Sequence, residues 1–386
     1  MENTVDGFVI VNHEDTHPSA DDAPPARLKD ISSVVDGLAD DLWPVNKKIH
    51  DNPELGFKEF IAHETLTTFL KSKPGWKITP SAYGMATAWV AVFDTGKRGP
   101  VVSFNVEMGG GGKIKLLRAG AYRDHKVDIS MLSHPGIVPD SALVRTAAFT
   151  SLRVEYFGRE AHAAASPWLG INALDALITA YNGLSALRQQ TMPGDVIQGQ
   201  ISHGGVRPNI IHAYAAGRFV VRASTQERLA QLRRKTDACF EAGALATGAT
   251  VKITATQSYA DHVPNRALGA VYRRCWNALD PPSRVPEDDE LAELLGRTMA
   301  STDQGDVSYA LPSLQPGFAI APGPGGNGPH SPDFADAAGT RAAFERCLRA
   351  GKAMAGVAVE VLADEDLLRE VKEEWRREVG EGKTKR

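Results

Sequence analysis

An acid and a histidine close two strand-like runs within a single stretch, VVSFNVEMGGGGKIKLLRAGAYRDHKVDISMLSHPG, residues 101–136. The apolar run Val101 to Val106 predicts a buried strand that ends on Glu107. A turn through Gly109 to Gly112, a short helix from Lys113 to Ala119 and a second strand from Val127 to Leu132 then deliver His134, held by Pro135-Gly136. An α/β sheet presents its chemistry at the carboxyl ends of its strands, and both groups are expected there. A second punctuated histidine, His330 in HSPDF, follows a loop from Ala321 to Pro329 built almost wholly of Gly and Pro. The glycine run is not a phosphate loop, because Gly112-Lys113-Ile114 lacks the hydroxyl that must follow the lysine. Its glycines instead let the backbone pass close to something bound at the strand ends.

At 386 residues and 42% hydrophobic, the chain can bury a full core and is long enough for two domains. A net charge of −4 gives no basic field for nucleic acid or an anionic membrane. Three cysteines, odd in number and far apart, argue for a reducing compartment and against a disulfide framework or a cysteine zinc knuckle. The first residues hold one short apolar run, Phe8 to Val11, flanked by acids. No signal peptide is therefore expected, and no run reaches the length of a membrane span. The expectation is a cytoplasmic protein with a disordered leader over residues 1–25.

The elements that must position the histidines follow from periodicity. Helices are expected from Arg27 to His50 and from Phe57 to Lys71, and strands at Trp76 to Ile78 and Ala86 to Phe93 that join Val101 to Val106 in an α/β sheet. From Phe149 to Gln257 the order is β-α-β-β-α-β, the ferredoxin-like split βαβ, a module that can stand as an inserted domain. The chain then returns to the first domain through two helices and a strand, Leu314 to Ile320, and closes on a helix from Gly339 to Val359. The expected organisation is an α/β domain over 26–148 and 263–363, an inserted domain over 149–262, and a charged, solvated tail over 364–386.

These segments together resemble the zinc-dependent amidohydrolases of the aminoacylase, carboxypeptidase and dipeptidase group, the metallopeptidase family numbered twenty. The matching pieces are IHDNPELGFKE, GPVVSFNVE, GGGGKIKLLRAGAY, HPG, GREAHAAASPWLGINALDA, GGVRPNII, STDQGDVSY and HSPDF, and the resemblance runs in family order from about Ile49 to Val359. The resemblance is greatest to the branch that cleaves N-acyl amino acids and small dipeptides. It implies a zinc-binding α/β domain interrupted by a lid that also forms a homodimer, with zinc or manganese activating a water. His134 and His330 then occupy metal-ligand positions and are expected to face a shared cavity. Glu107 is the candidate general base, and His203 the lid histidine that steadies the oxyanion in the partner's site. Asn209 and His162 touch substrate, and Arg222 clamps its carboxylate. Turn-making is the competing role for Asn209 and His162, and an ordinary ion pair for Arg222.

One departure from the family stands out. Between the strand ending at Glu107 and the glycine run, the family carries a strand–helix unit and most of its metal ligands, whereas this chain passes from Glu107-Met108 directly to Gly109. Either Glu107 ends the first strand, or Glu107-Met108 replaces the family's Glu-Glu pair. In the second register Met108 offers a thioether, a poor ligand for zinc. The sheet is therefore expected to lack one βα unit. The chain is read as an amidohydrolase by descent, with a catalytically inactive dimeric relative of binding or regulatory role and a truncated gene model of an active enzyme as the alternatives.

Overall fold

The computed structural model describes residues 25–106 and 110–380, together with the backbone of β1 (Thr4–Val5) and β2 (Phe8–Val9), which pair with each other. Glu107, the rest of the expected leader before Pro25, and residues 381–386 lie outside the described residues.

The first domain opens with α1 (Leu28–Gly37), α2 (Ala39–His50) and α3 (Phe60–Lys71). The single helix expected from Arg27 to His50 divides at Leu38, whose N–H is shared between the carbonyls of Val34 and Val35. A hairpin follows, β3 (Trp76–Pro80) against β4 (Trp89–Phe93). Then come β5 (Val102–Phe104), α4 (Gly112–Ala119), α5 (Ala121–Asp124), β6 (Ile129–Met131) and β7 (His134–Gly136).

The inserted unit runs β8 (Ala148–Phe157), β9 (Ala161–His162), α6 (Ala173–Leu187), β10 (Val196–His203), β11 (Ile210–Ile211), β12 (Tyr214–Ala223), α7 (Gln226–Thr247) and β13 (Thr250–Tyr259). Its main sheet has the order β10-β12-β8-β13 with every pair antiparallel, which is the ferredoxin-like arrangement. Alternation in β8 sends Leu152, Val154 and Tyr156 into a core with Leu177, Phe219 and Phe240. Thr225 caps α7 by accepting from the Arg228 N–H, and Gly248 ends the helix with a φ of 75°. Gly243 lets α7 lie against α6, since a Cβ there would sit 2.3 Å from the Ala176 carbonyl oxygen.

The chain returns through α8 (Arg266–Asn277), α9 (Asp289–Leu295), α10 (Gln304–Ser308), β14 (Ser313–Leu314), β15 (Gly317–Ala319), α11 (Pro332–Ala338), α12 (Arg341–Ala363) and α13 (Glu365–Trp375). A second core forms where Leu268, Val271, Tyr272 and Trp276 of α8 meet Ala353 and Val357 of α12. Arg349 closes the end of α8, donating to the carbonyls of Pro281, Trp276 and Leu279 while lying over the Trp276 ring.

Three expectations are corrected here. The hairpin does not join the parallel sheet, which among the described residues has three strands in the order β14-β6-β5. The run Val101 to Val106 is accordingly not a buried strand: Val101, Phe104 and Val106 are 37%, 50% and 57% exposed, because no strand covers the outer side of β5 among the described residues. The tail is not solvated either. Val371 is buried against α8, the Glu374 carboxylate accepts from the Arg266 and Ala267 N–H groups at 2.6 and 2.9 Å, and Trp375 donates to the Ser308 carbonyl. Asn265 completes this joint, capping α8 through Leu268 N–H and donating to the Val371 carbonyl. Among the described residues, no helix is long and apolar enough to cross a membrane.

A chain of buried polar groups lies along the parallel strands. Asn105 donates to Ser130 Oγ and Gln304 Oε1, Gln304 Nε2 donates to Ser313 Oγ at 2.7 Å, and the far side of Ser313 meets His262 Nε2. The other ring nitrogen of His262 bonds the Val144 carbonyl. Burial of this ring pushes its pKa down from 6.5 to about 4, assisted by the charges of Arg145 and His134 and opposed by the Val144 bond.

Two stability predictions follow from these joints. Glu374→Ala strands two amides at the start of α8 and is expected to cost about 1–2 kcal/mol, read as a lower urea midpoint at unchanged slope. The unfolded His262 binds a proton near pH 6.5 and the folded one only near 4, so its contribution is present above pH 6.5 and is lost as pH falls toward 4. The full loss is about 3 kcal/mol. Asp261 and Asp306, raised by burial, act in the opposite sense, so the test is the difference between the natural chain and His262→Gln in urea melts from pH 7 to 4. A difference that does not change with pH would contradict this account.

Candidate functional site

His330 is delivered by a short relay of local bonds. Ser331 caps α11 by accepting from the Phe334 N–H and donates its hydroxyl to the Gly328 carbonyl. Asp333, in the first turn of the helix, accepts from Gly325 N–H and Asn327 N–H and so folds the Gly/Pro loop back on itself. His330 sits between these anchors with a φ of 69°, a left-handed backbone that a histidine rarely adopts.

The same loop end meets the inserted unit. His330, Arg222, Phe149, Tyr259, Gln198 and Ser301 line a cleft of about 360 Å³ at the root of that unit. Arg222, near the end of β12, donates through Nη1 to the Met299 carbonyl at 3.1 Å and to Ser301 Oγ at 3.0 Å, with its guanidinium 5.2 Å from the centre of the Phe149 ring. Burial lowers the pKa of Arg222. Phe149 and Tyr259 meet edge to face at 4.8 Å and form an aromatic wall. The site thus combines a partly desolvated cation, an imidazole and an apolar wall, a set suited to a carboxylate joined to an organic chain.

The other candidates lie elsewhere. His134 is half-buried in β7, opposite Gly317 of β15, and is not among the residues lining this cleft. His162 is exposed, and its Nδ1 accepts from Ala164 and Ala165 N–H at 3.2 and 3.1 Å, which is the turn-capping role. Asn209 is exposed beside it, its backbone carbonyl accepting from Ala163 N–H. His203 ends β10, exposed, past a bulge, with its ring 5.2 Å from Tyr214. Asp303 pairs with Lys113 and accepts from its backbone N–H, both residues being buried, so this lysine is committed to the fold. Asp306 accepts from Ala260 N–H. Sequence reasoning missed Phe149, Tyr259 and Ser301, whose role depends on contacts across the two cores and leaves no local pattern.

Among the described residues, no three His, Cys, Asp or Glu side chains come together as a cluster able to hold a metal ion. Catalytic zinc normally takes three protein ligands, so the described residues do not fit a zinc or manganese ion.

Residues 146–247 match the peptidase dimerisation domain of the M20 peptidases. The chain is 31% identical to the Xaa-Arg dipeptidase of Mus musculus across 89% of this chain and 90% of the relative. Among solved structures it resembles the aminobenzoyl-glutamate utilization protein of Klebsiella pneumoniae, with a TM-score of 0.62 and 16% identity over 86% of this chain and 97% of that one. It also resembles a dinuclear metal-binding M20 peptidase of Bacillus subtilis, with a TM-score of 0.57 and 14% identity over 87% and 99%. The alignment with the mouse dipeptidase runs over 401 positions, yet 89% of 386 residues supplies about 344, so about 57 aligned positions have no counterpart in this chain. Identity at this level over nearly the whole length, with the matching inserted domain, shows that the chain belongs to the M20 peptidase family.

Proposed function

We propose that this chain belongs, by function as by descent, with the amidohydrolases that cleave a dipeptide or an N-acyl amino acid, and that Arg222 holds the substrate carboxylate. The observation that carries this is the shared cleft of Arg222 and His330 at the root of the inserted domain. Nη1 of Arg222 is engaged by Met299 and Ser301, and the rest of the guanidinium fork suits a carboxylate. Dipeptides ending in arginine are the first substrates to try, from the name of the mouse relative. His203, His162 and Asn209 complete the reading as residues that a paired copy presents to the site through the dimerisation domain. On this reading Glu107 would be the base, while His134 and His330, which no third described ligand joins, do not by themselves hold a metal.

A second reading is favoured by one observation: the described residues gather no metal cluster. On that reading the chain binds the same ligands without turning them over. The unmatched positions in the alignment accord in number with a missing strand–helix unit.

Two measurements decide between them. Dialysed protein carrying stoichiometric zinc or manganese and hydrolysing a panel of dipeptides and N-acyl amino acids establishes the first reading. Metal-free, inert protein that still binds the panel establishes the second. In either case Arg222→Ala is expected to weaken the KM or Kd about 10- to 100-fold, corresponding to about 1.5–3 kcal/mol for hydrogen bonds to a charged group, with partial recovery in Arg222→Lys. Unchanged affinity in the alanine variant removes the carboxylate clamp. Sedimentation at micromolar concentration is expected to give a dimer.

A further inference from the structure

Each strand of the inserted sheet gives one residue to a single rung that opens on the cleft. Val196 of β10 lies opposite Arg222 of β12, Arg222 opposite Phe149 of β8, and Phe149 opposite Tyr259 of β13. Directly opposed residues share a face of an antiparallel sheet, so the cation stands in a row with one aliphatic and two aromatic side chains, and all four line the cleft. This face is the one turned away from the inserted domain's own core, which takes Leu152, Ile197 and Val221 from the alternate positions. Met299 adds a further apolar wall, with 38% of its surface exposed.

The charge of the cleft is one-sided. Among the described residues its lining holds Arg222 and His330 and no acid. The acids that adjoin the lining in sequence are engaged elsewhere. Asp195 takes the Arg228 guanidinium on both carboxylate oxygens, and Asp261 accepts from Gln226 N–H and the Tyr309 hydroxyl. Asp303 pairs with Lys113, and Asp333 accepts from loop amides. A carboxylate held by Arg222 therefore brings the side chain next to it over Val196, Met299 and the aromatic pair. An apolar side chain gains there by leaving water. A guanidinium or ammonium would give up its hydration beside a like charge, with no carboxylate to receive it.

We propose that Val196, Phe149 and Met299 determine specificity, selecting ligands whose carboxylate is borne by an amino acid with an apolar side chain and turning away those with a cationic one. This selection rests on Arg222 holding the carboxylate, and it holds whether the ligand is cleaved or only bound.

The test titrates the full chain calorimetrically with the N-acetyl derivatives of glycine, leucine, phenylalanine, arginine and glutamate, which keep the acyl group constant and vary the side chain alone. Where the protein hydrolyses them, kcat/KM replaces Kd. Leucine and phenylalanine are expected to be favoured over glycine, and over arginine, by about ten-fold or more. Met299→Ala is expected to narrow the leucine-to-glycine ratio several-fold. Gln198→Glu puts an acid two residues along β10 from Val196, on the same face, and is expected to raise the arginine-to-leucine ratio by about ten-fold. Ratios within one protein are read, so a general loss of stability in a variant does not enter. Equal values across the panel, a preference for arginine or glutamate, or an unchanged leucine-to-glycine ratio in Met299→Ala overturns the selection; if binding is still lost in Arg222→Ala, the carboxylate clamp stands without it. Binding indifferent to Arg222→Ala, or no binding by any of the five, removes the clamp and the selection together.

Discussion

The first domain depends on satisfying one buried amide. Gln304, with no solvent exposure, is held by Asn105 on one side and Ser313 on the other, and through them touches β5, β6 and β14. A parallel sheet of three short strands buries little on its own, so a side-chain network between its strands matters more here than in a broad sheet. Each member of such a network costs free energy if its partner is lost, and this fixes strand register along with stability. Tyr122 extends the network by donating to Asn105 Oδ1, and His262 closes its other end. The Lys113–Asp303 pair, one residue from Gln304, ties the glycine-run helix to the same point. The result is a rigid floor beneath the strand ends, built from polar groups that the sequence scatters over some two hundred positions.

The inserted domain was legible in the sequence because its determinants are local. Alternation marks the second half of β8, Leu152 to Phe157, Thr225 and Gly248 bracket α7, and the order of elements leaves little choice of topology. The first domain was harder to read. A run such as VVSFNV looks like a central strand whether or not a neighbour covers it, and only the missing neighbour makes Phe104 and Val106 exposed. The tail misled for the opposite reason: its charges dominate the composition, while Val371 and Trp375, four apart, lie on the face that docks.

The site divides in the same way. Arg222 and His330 were readable as candidates from motif position, and the structure brings both to one cleft. The capping use of His162 was legible as an alternative from the small residues that follow it. The aromatic wall of Phe149 and Tyr259 was not, since these residues begin and end two strands whose pairing places them edge to face.

Arg222 has one more consequence. Its guanidinium grips Met299 and Ser301, in a segment whose backbone runs beside Arg145 and Ala147 at the junction of the two domains. Replacing Arg222 would therefore remove two hydrogen bonds from the seam between the domains as well as a cation from the cleft, so a loss of binding in such a variant has to be read beside its stability.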